Sequence, residues 1–318
     1  MAVYTHVSLE ALKAFLRRYD IGALQSYQGV TKGIENSNYI LMTDHGRFVL
    51  TLFEQRVEEQ DLPFFIDFMA HLRAAGRNCP APVANRSGLA LQELCDRPAL
   101  ITTFLNGSEV EDPGPDHCQK VGALMAQLHL DSADFSGERH NALGLEGWRT
   151  LADRCRAHAD TCSPNLAALI DDELAYLSAN WPASLPRGVI HADLFPDNIF
   201  FQDGEVSGVI DFYFSCSDFY AYDVAITLCA WAGEGGWSPD RAAALLSGYE
   251  KLRLLTSEER QAMIIFLRGA ALRFLLTRLY DWLNQVDGAD VKVKDPLAYH
   301  DLLVFLRRNP DRLASLFS

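Results

Sequence analysis

Two runs of β-prone residues, Tyr39–Thr43 and Arg47–Phe53, flank Asp44-His45-Gly46, a hairpin turn signal. Past them the period changes. Phe65, Phe68, Met69 and Leu72 recur at i, i+3, i+4 and i+7. Asp61 and Pro63 suit a first helical turn and Gly76 suits an end, so a helix is predicted between them. Pro80-Ala-Pro-Val leads into two further short strands, Leu89–Leu94 and Ala99–Phe104. After Asn106-Gly107 comes a breaker cluster, Asp112-Pro113-Gly114-Pro115. Asp116 can cap a helix whose apolar face is Val121, Leu124, Met125 and Leu128. Residues 131–147 read as a loop, 148–180 as helices, and three short strands are expected around 189–192, 198–201 and 206–212. From Tyr222 on the pattern is helical. The fold class is α+β. A strand-rich N-terminal lobe (1–105) with an antiparallel sheet precedes a mainly helical C-terminal lobe (106–318).

At 318 residues, two domains are the natural expectation, and 49% hydrophobic with 22% charged residues suits a globular chain. A net charge of −14 argues against nucleic-acid binding, which needs a basic surface. It leaves room for one nucleotide, which needs only local N–H groups, a cation and a metal. The N-terminal residues lack a basic start followed by an apolar core, and no apolar run reaches membrane-spanning length; around Met263–Leu276 the run is broken by Arg268 and Arg273. No membrane role is expected. Seven cysteines, none in a C-x-x-C pair, read as free thiols of a reducing cytoplasm rather than as a zinc site or a disulfide framework.

The chemistry concentrates in Val189-Ile-His-Ala-Asp-Leu-Phe-Pro-Asp-Asn-Ile-Phe-Phe, a pattern H-x-D-x-x-x-x-N, followed by Ile210-Asp211-Phe212. Phosphoryl transfer needs a carboxylate to orient the attacking hydroxyl, and an amide oxygen and a second carboxylate to hold Mg²⁺. Asp193 is therefore the candidate base, Asn198 and Asp211 the candidate metal ligands, and His191 a brace for the loop. Ordinary turn polars would not combine this spacing, the flanking strands and the later Ile-Asp-Phe. No G-x-S-x-G elbow supports a serine hydrolase. His129 ends a predicted helix, where a capping role is expected.

These residues resemble the aminoglycoside phosphotransferase and choline kinase group, the small-molecule branch of the protein-kinase fold. Ala192 stands where protein kinases have Arg, and no A-P-E follows. Tyr222-Asp223-Val224-Ala225 is similar to the group's Y-D-[IVL]-A, which implies that Asp223 ties down the catalytic loop. Within the group, the chain is similar to the bacterial type II homoserine kinases through Thr31–Tyr39, Phe48–Phe53, Pro80–Val83, His191–Asn198, Ile210–Phe214 and Leu272–Trp282. The resemblance implies ATP and Mg²⁺ as cofactors, L-homoserine as acceptor and a place in threonine biosynthesis. Other acceptors of the same fold (choline, ethanolamine, an aminoglycoside, a sugar) and a nucleotide-binding pseudokinase are the alternatives.

On the nucleotide side the loop 31–38 holds one Gly and no G-x-G-x-x-G, so Asn36, Ser37 and Asn38 are the candidate phosphate donors and Lys32 the candidate cation. Thr51 occupies the position where relatives carry a phosphate-binding Lys. The resemblance places the Thr103 carbonyl and the Leu105 N–H at the adenine edge. For the acceptor, Arg273 and Arg278 offer bidentate carboxylate recognition, and Tyr213, Asp218 and Trp282 could serve the amine. Arg268, Arg273 and Arg278, spaced by five, cannot all face one pocket.

Overall fold

The expected hairpin around Asp44–Gly46 forms the middle of a five-stranded sheet in the computed structural model, which describes residues 4–30, 36–54, 58–285 and 293–317. A helix, α1 (Leu9–Leu16), precedes β1 (Leu24–Gly29), β2 (Ser37–Thr43) and β3 (Gly46–Leu52). Then come α2 (Leu62–Ala74), β4 (Leu91–Leu94) and β5 (Arg97–Thr103). The sheet order is β1-β2-β3-β5-β4 and all neighbours are antiparallel. Neither α1 nor β1 was among the expected elements. The signal for α1 is nonetheless local: Ser8 Oγ accepts from the Ala11 N–H, and Leu12, Phe15 and Leu16 are buried.

Two compact units divide the chain. The first runs to Gly107 and takes in Ser207–Tyr213. Period-two alternation splits its core. Tyr39, Leu41, Leu50, Leu52 and Ile101 pack with the apolar stripe of α1 in one cluster. Thr51, between Leu50 and Leu52, belongs to the opposite face. Phe65 and Phe68 of α2 meet Tyr213 and Phe212 edge-on at 5.8 and 5.9 Å between ring centres, and Phe53 meets Tyr213 at 5.0 Å. The Asp-Phe turn is thus anchored on α2 by aromatic contacts worth about 0.5–1.5 kcal/mol each beyond area burial.

The second unit comprises Ser108–Val206, Phe214–Gln285 and the chain from Val293 on. Its helices are α3 (Pro115–Asp131), α4 (Leu145–Cys155), α5 (Ala159–Cys162) and α6 (Leu166–Asn180). Strands β6 (Arg187–Ile190) and β7 (Ile199–Gln202) flank the catalytic motif, and β8 (Glu205–Val209) leads the chain into the first unit. Then follow β9 (Cys216–Phe219), α7 (Tyr220–Leu228), α8 (Pro239–Glu250), α9 (Ser257–Leu283), α10 (Leu297–Arg308) and α11 (Pro310–Ala314). Strand β9, not expected, pairs antiparallel with β6.

Helix α9 is the spine of this unit, capped by a reciprocal Thr256–Glu259 box and buried along most of its length. Its three arginines diverge as their spacing requires. Arg268 forks onto buried Glu173 at 2.6 and 2.7 Å, Arg273 reaches the Ala192 carbonyl, and Arg278 pairs with Glu234. Helices α3 and α8 cross where both have glycine. A Cβ on Gly122 would lie 2.0 Å from the Leu245 oxygen, and one on Gly248 would lie 1.9 Å from the Gln119 oxygen. Only hydrogen at both positions allows the backbones to approach this closely. No helix among the described residues is long and apolar enough to cross a membrane.

Candidate active site

Strand β6 ends at Ile190, and the next residues form a tight loop. Ala192 has φ +64°, a left-handed backbone that costs an L-residue about 1–2 kcal/mol. Two groups hold it there. The Ala192 N–H donates to Asp223 Oδ1 at 2.8 Å, and its carbonyl accepts from Arg273 Nη1 at 2.7 Å. The loop then turns Asp193 out. The Asp193 N–H donates to His191 Nδ1 at 3.2 Å, and Asn198 Nδ2 donates to both the carbonyl and Oδ2 of Asp193 at 2.8 and 3.1 Å. Because that amide nitrogen is spent on Asp193, Oδ1 is the Asn198 atom suited to a metal. Further along, the Leu194 carbonyl accepts from Trp231 Nε1 at 2.7 Å. Trp231 lies in a π-helical turn, Cys229–Gly233, that extends α7. A turn of this kind widens the helix locally and often marks a functional site.

Asp223 sits under the loop, fully buried on α7. Its Oδ2 accepts from the His191 N–H at 3.1 Å and from His129 Nε2 at 3.0 Å. Burial would raise its pKa, but the hydrogen bonds from His129 and the Ala192 N–H outweigh it, so the carboxyl titrates below its ordinary range. Burial dominates at His129 and lowers its pKa, which keeps the ring neutral. An ionised carboxylate only accepts, so Nε2 carries the proton and Nδ1 accepts from the Tyr249 hydroxyl, 2.8 Å away. Arg253 bonds Tyr249 at 2.9 Å and Glu259 at 2.7 Å, completing a chain from the catalytic loop to the start of α9. His129 is therefore a buried link in this chain, and the expected helix-capping role gives way to it.

In the first unit, Ile210 leads into Asp211, again left-handed at φ +63°. Tyr213 is half-buried, and its hydroxyl pKa is raised by desolvation and by the Asp211 charge, with Thr51 as a hydrogen-bonding neighbour.

A model of the phosphotransferase enzyme family (APH) matches residues 26–255. The homoserine kinase of Xanthobacter autotrophicus is 54% identical over 307 residues, 96% of this chain and 96% of the relative. That of Beijerinckia indica subsp. indica is 53% identical over the same shares. The chain belongs to the phosphotransferase enzyme family, among the homoserine kinases. Solved structures agree on the fold. Amicoumacin kinase hAmiN, in complex with AMP-PNP, Ca²⁺ and Ami, superposes with a TM-score of 0.70 at 15% identity, over 96% of this chain and 94% of that one. Choline kinase from Cryptosporidium parvum gives 0.68 at 13% identity, over 97% of both chains.

Within this homoserine kinase fold the remaining candidates separate. His191, Asp193 and Asn198 converge in the second unit, and Asp211, Tyr213 and Thr51 lie in the first. Ser37 is fully buried; its hydroxyl donates to Glu54 at 2.5 Å and accepts from the Tyr4 and Thr5 N–H groups, which leaves it no proton for a phosphate. The Thr51 hydroxyl donates to Asn38 Oδ1 at 2.7 Å, and Asn36 Oδ1 accepts from the Glu54 N–H. Lys32 lies outside the described residues. Thr103 ends β5 with its Oγ1 accepting from the Ala81 N–H at 2.9 Å, and Leu105 is buried just beyond.

Of the acceptor candidates, Asp218 and Arg273 are already engaged within the second unit. Asp218 accepts from Asn141 Nδ2 and the Phe219 N–H, both at 2.7 Å, and burial raises its pKa against these bonds. Arg273 is almost wholly buried, its guanidinium 5.6 Å from the Phe214 ring centre, and its visible task is to hold Ala192. Trp282 stands half-exposed near the end of α9.

Proposed function

We propose that the chain transfers the γ-phosphoryl group of ATP to the side-chain hydroxyl of L-homoserine. The hydroxyl oxygen attacks phosphorus in line, the bond to the β-phosphate oxygen breaks, and O-phospho-L-homoserine and ADP leave. Asp193 accepts the hydroxyl proton. The observation that carries the acceptor is the 54% identity to a homoserine kinase over nearly both whole chains. The catalytic loop supports the chemistry. Asp193 is positioned by Asn198 on one side and through the Asp223–Ala192–Arg273 clamp on the other. Catalysis of this kind is mainly positioning and electrostatics.

Mg²⁺ fits the residues present. The Asn198 carbonyl oxygen and the Asp211 carboxylate would hold it, as the sequence motif pairs them, and hard oxygen ligands are what this ion takes. Bound there, it would neutralise charge developing on the phosphate oxygens. For the nucleotide, the Thr103 carbonyl and Leu105 N–H would meet the adenine edge, with Lys32, Asn36 and Asn38 as the phosphate-side candidates.

A coupled ADP-release assay with Mg·ATP tests the reading, with L-homoserine beside choline, a sugar and an aminoglycoside. Turnover with homoserine is expected, and Asp193→Asn is expected to lower kcat roughly 10²–10⁴-fold with the fold intact. Turnover with another acceptor alone would keep the phosphoryl transfer and discard homoserine. A normal rate from Asp193→Asn would remove the catalytic assignment.

A further inference from the structure

The polar chain behind the catalytic loop has a direction. Asp223 accepts from the backbone N–H groups of His191 and Ala192, the two residues that precede Asp193. A third donor to the same carboxylate is His129 Nε2, at 3.0 Å. The neutral ring gives its proton there only while Nδ1 is bare, and the Tyr249 hydroxyl, 2.8 Å away, keeps Nδ1 an acceptor. The Tyr249 oxygen in turn accepts from Arg253 Nη1 at 2.9 Å, which leaves its own proton for His129. Burial raises the Tyr249 pKa, so the phenol stays protonated. Every bond from Arg253 to Asp223 therefore donates toward the carboxylate. Hydrogen bonds aligned in one direction polarise one another in a low-dielectric interior. The far end is fixed as well. Arg253 Nη2 donates to Glu259 Oε1 at 2.7 Å, and Glu259 Oε2 accepts from the Thr256 N–H at 2.9 Å in the cap of α9.

The packing confines this chain, which lies wholly in the second unit. The glycine crossing of α3 and α8 sets Tyr249, the residue after Gly248, against His129. A Cβ on Gly122 would lie 2.8 Å from the Tyr249 nitrogen, so the reach of the hydroxyl to His129 depends on that close approach. The His129 ring lies 4.7 Å from the Tyr220 ring at 30° and 5.6 Å from the Tyr249 ring at 73°. The Arg253 guanidinium lies 4.7 Å from the centre of the same Tyr220 ring. His129, Tyr249 and Glu259 are all buried. The other neutral tautomer of His129 would set a bare nitrogen against the Asp223 oxygen, so the hydroxyl of Tyr249 selects the one that binds.

We propose that Tyr249 and Arg253 are positioning residues for phosphoryl transfer, which fix the His129 tautomer and through it the backbone that presents Asp193. Neither touches a reacting atom. This rests on Asp193 as the group that takes the hydroxyl proton, and it extends the machinery to α8 and the turn after it, outside the catalytic motif. Without the Tyr249 hydroxyl, Nδ1 is a buried acceptor with no donor, which favours the ring turning or changing tautomer. Either change withdraws a donor from Asp223 and loosens its hold on the two N–H groups ahead of Asp193. A displacement of about 1 Å at a reacting group costs up to about 100-fold in rate.

The test is a double-mutant cycle on the full chain: Tyr249→Phe, Arg253→Met and the two together, with Mg·ATP and L-homoserine, well below the melting range. Each single variant is expected to lower kcat about tenfold, with both KM values within about threefold of wild type. Because Arg253 acts through Tyr249, the double variant is expected to match Tyr249→Phe within about twofold, whereas independent losses would multiply to about 100-fold. Amide hydrogen exchange of the same proteins is expected to speed up about tenfold at His191 and Ala192 and to stay unchanged in α6. Tyr249→Phe removes one oxygen from a packed ring, so it carries the test even if Arg253→Met, which leaves the buried Glu259 unpaired, does not fold. Tyr249→Phe with wild-type kcat, a fall in kcat with loop exchange unmoved, or losses that multiply in the double variant would each overturn the positioning role. No wild-type turnover of homoserine overturns the function reading alone, and the exchange at His191 and Ala192 then decides the positioning role by itself.

Discussion

His129 makes a quantitative prediction about acid stability. Its ring is fully buried between Asp223 and Tyr249, with Arg253 and Glu259 next along the chain, and burial lowers its pKa below the ordinary 6.5. In the unfolded chain the same ring binds a proton below about pH 6.5. Between that value and the lowered folded pKa, the unfolded state holds one more proton than the native state. Stability therefore falls as the pH falls, by about 1.4 kcal/mol per unit for one proton. From pH 8 to pH 5 the loss attributable to His129 is about 2 kcal/mol if the folded ring stays neutral throughout. Asp223 acts in a separate window. Its pKa is lowered on folding, so its contribution is present above about pH 3.9 and is lost as the pH falls through the folded value. Urea unfolding of wild type and His129→Gln at half-unit steps from pH 8 to pH 5 isolates the His129 part as the difference between the two curves. Gln is less stable throughout, and the offset should shrink by about 2 kcal/mol toward pH 5. An offset that stays constant over this range would refute the buried neutral ring.

Two further variants probe the same framework. Arg273→Met removes the donor to the Ala192 carbonyl and frees a strained residue beside Asp193; kcat is expected to drop about 10–100-fold with the KM for homoserine within about threefold of wild type, whereas a rise in KM alone would make Arg273 an acceptor ligand instead. Gly122→Ala would put a methyl group 2.0 Å from the Leu245 oxygen and force α3 from α8, which lowers unfolding free energy by about 1–3 kcal/mol in urea titration, and an unchanged midpoint would show that the crossing is looser than described.

The parts of the site that were legible in the sequence are those whose partners are close along the chain. Asp193 and Asn198 are five residues apart and bond each other directly, so spacing alone carried the motif. The hairpin at Asp44–Gly46 and helix α2 were legible for the same reason, through turn chemistry and a 3.6-residue period. What the pattern does not carry is the choice of partner across the fold. His129 meets Tyr249 over a separation of 120 residues and Asp223 over 94, and nothing in an apolar helical stripe says which of the helix's two histidines faces a carboxylate. Strand β9 is four residues with one fully buried, too short for alternation to show. Ser37 suits a phosphate donor as a small polar residue of the loop, and Thr51 stands at the position of a phosphate-binding Lys, yet both hydroxyls are spent inside the unit.

Ala192 shows how a departure in sequence and a distant residue can be one arrangement. Read along the chain, Ala in place of the arginine of protein kinases is simply a loss of charge beside the catalytic Asp. In the fold, the cation comes from α9, 81 residues away, and Arg273 bonds the carbonyl of the residue that lacks the charge. A small side chain suits that position. Ala192 is almost wholly buried and already left-handed, held at its N–H by Asp223 and at its carbonyl by Arg273, and a long side chain there would have to fit within the same clamp. The three arginines of α9 then divide the work that one helix can do. Arg268 closes on Glu173 within the helical core, Arg273 fixes the backbone behind Asp193, and Arg278 pairs with Glu234 and the Asp295 carbonyl. The five-residue spacing that forbids a single shared pocket is what lets the helix serve three separate tasks.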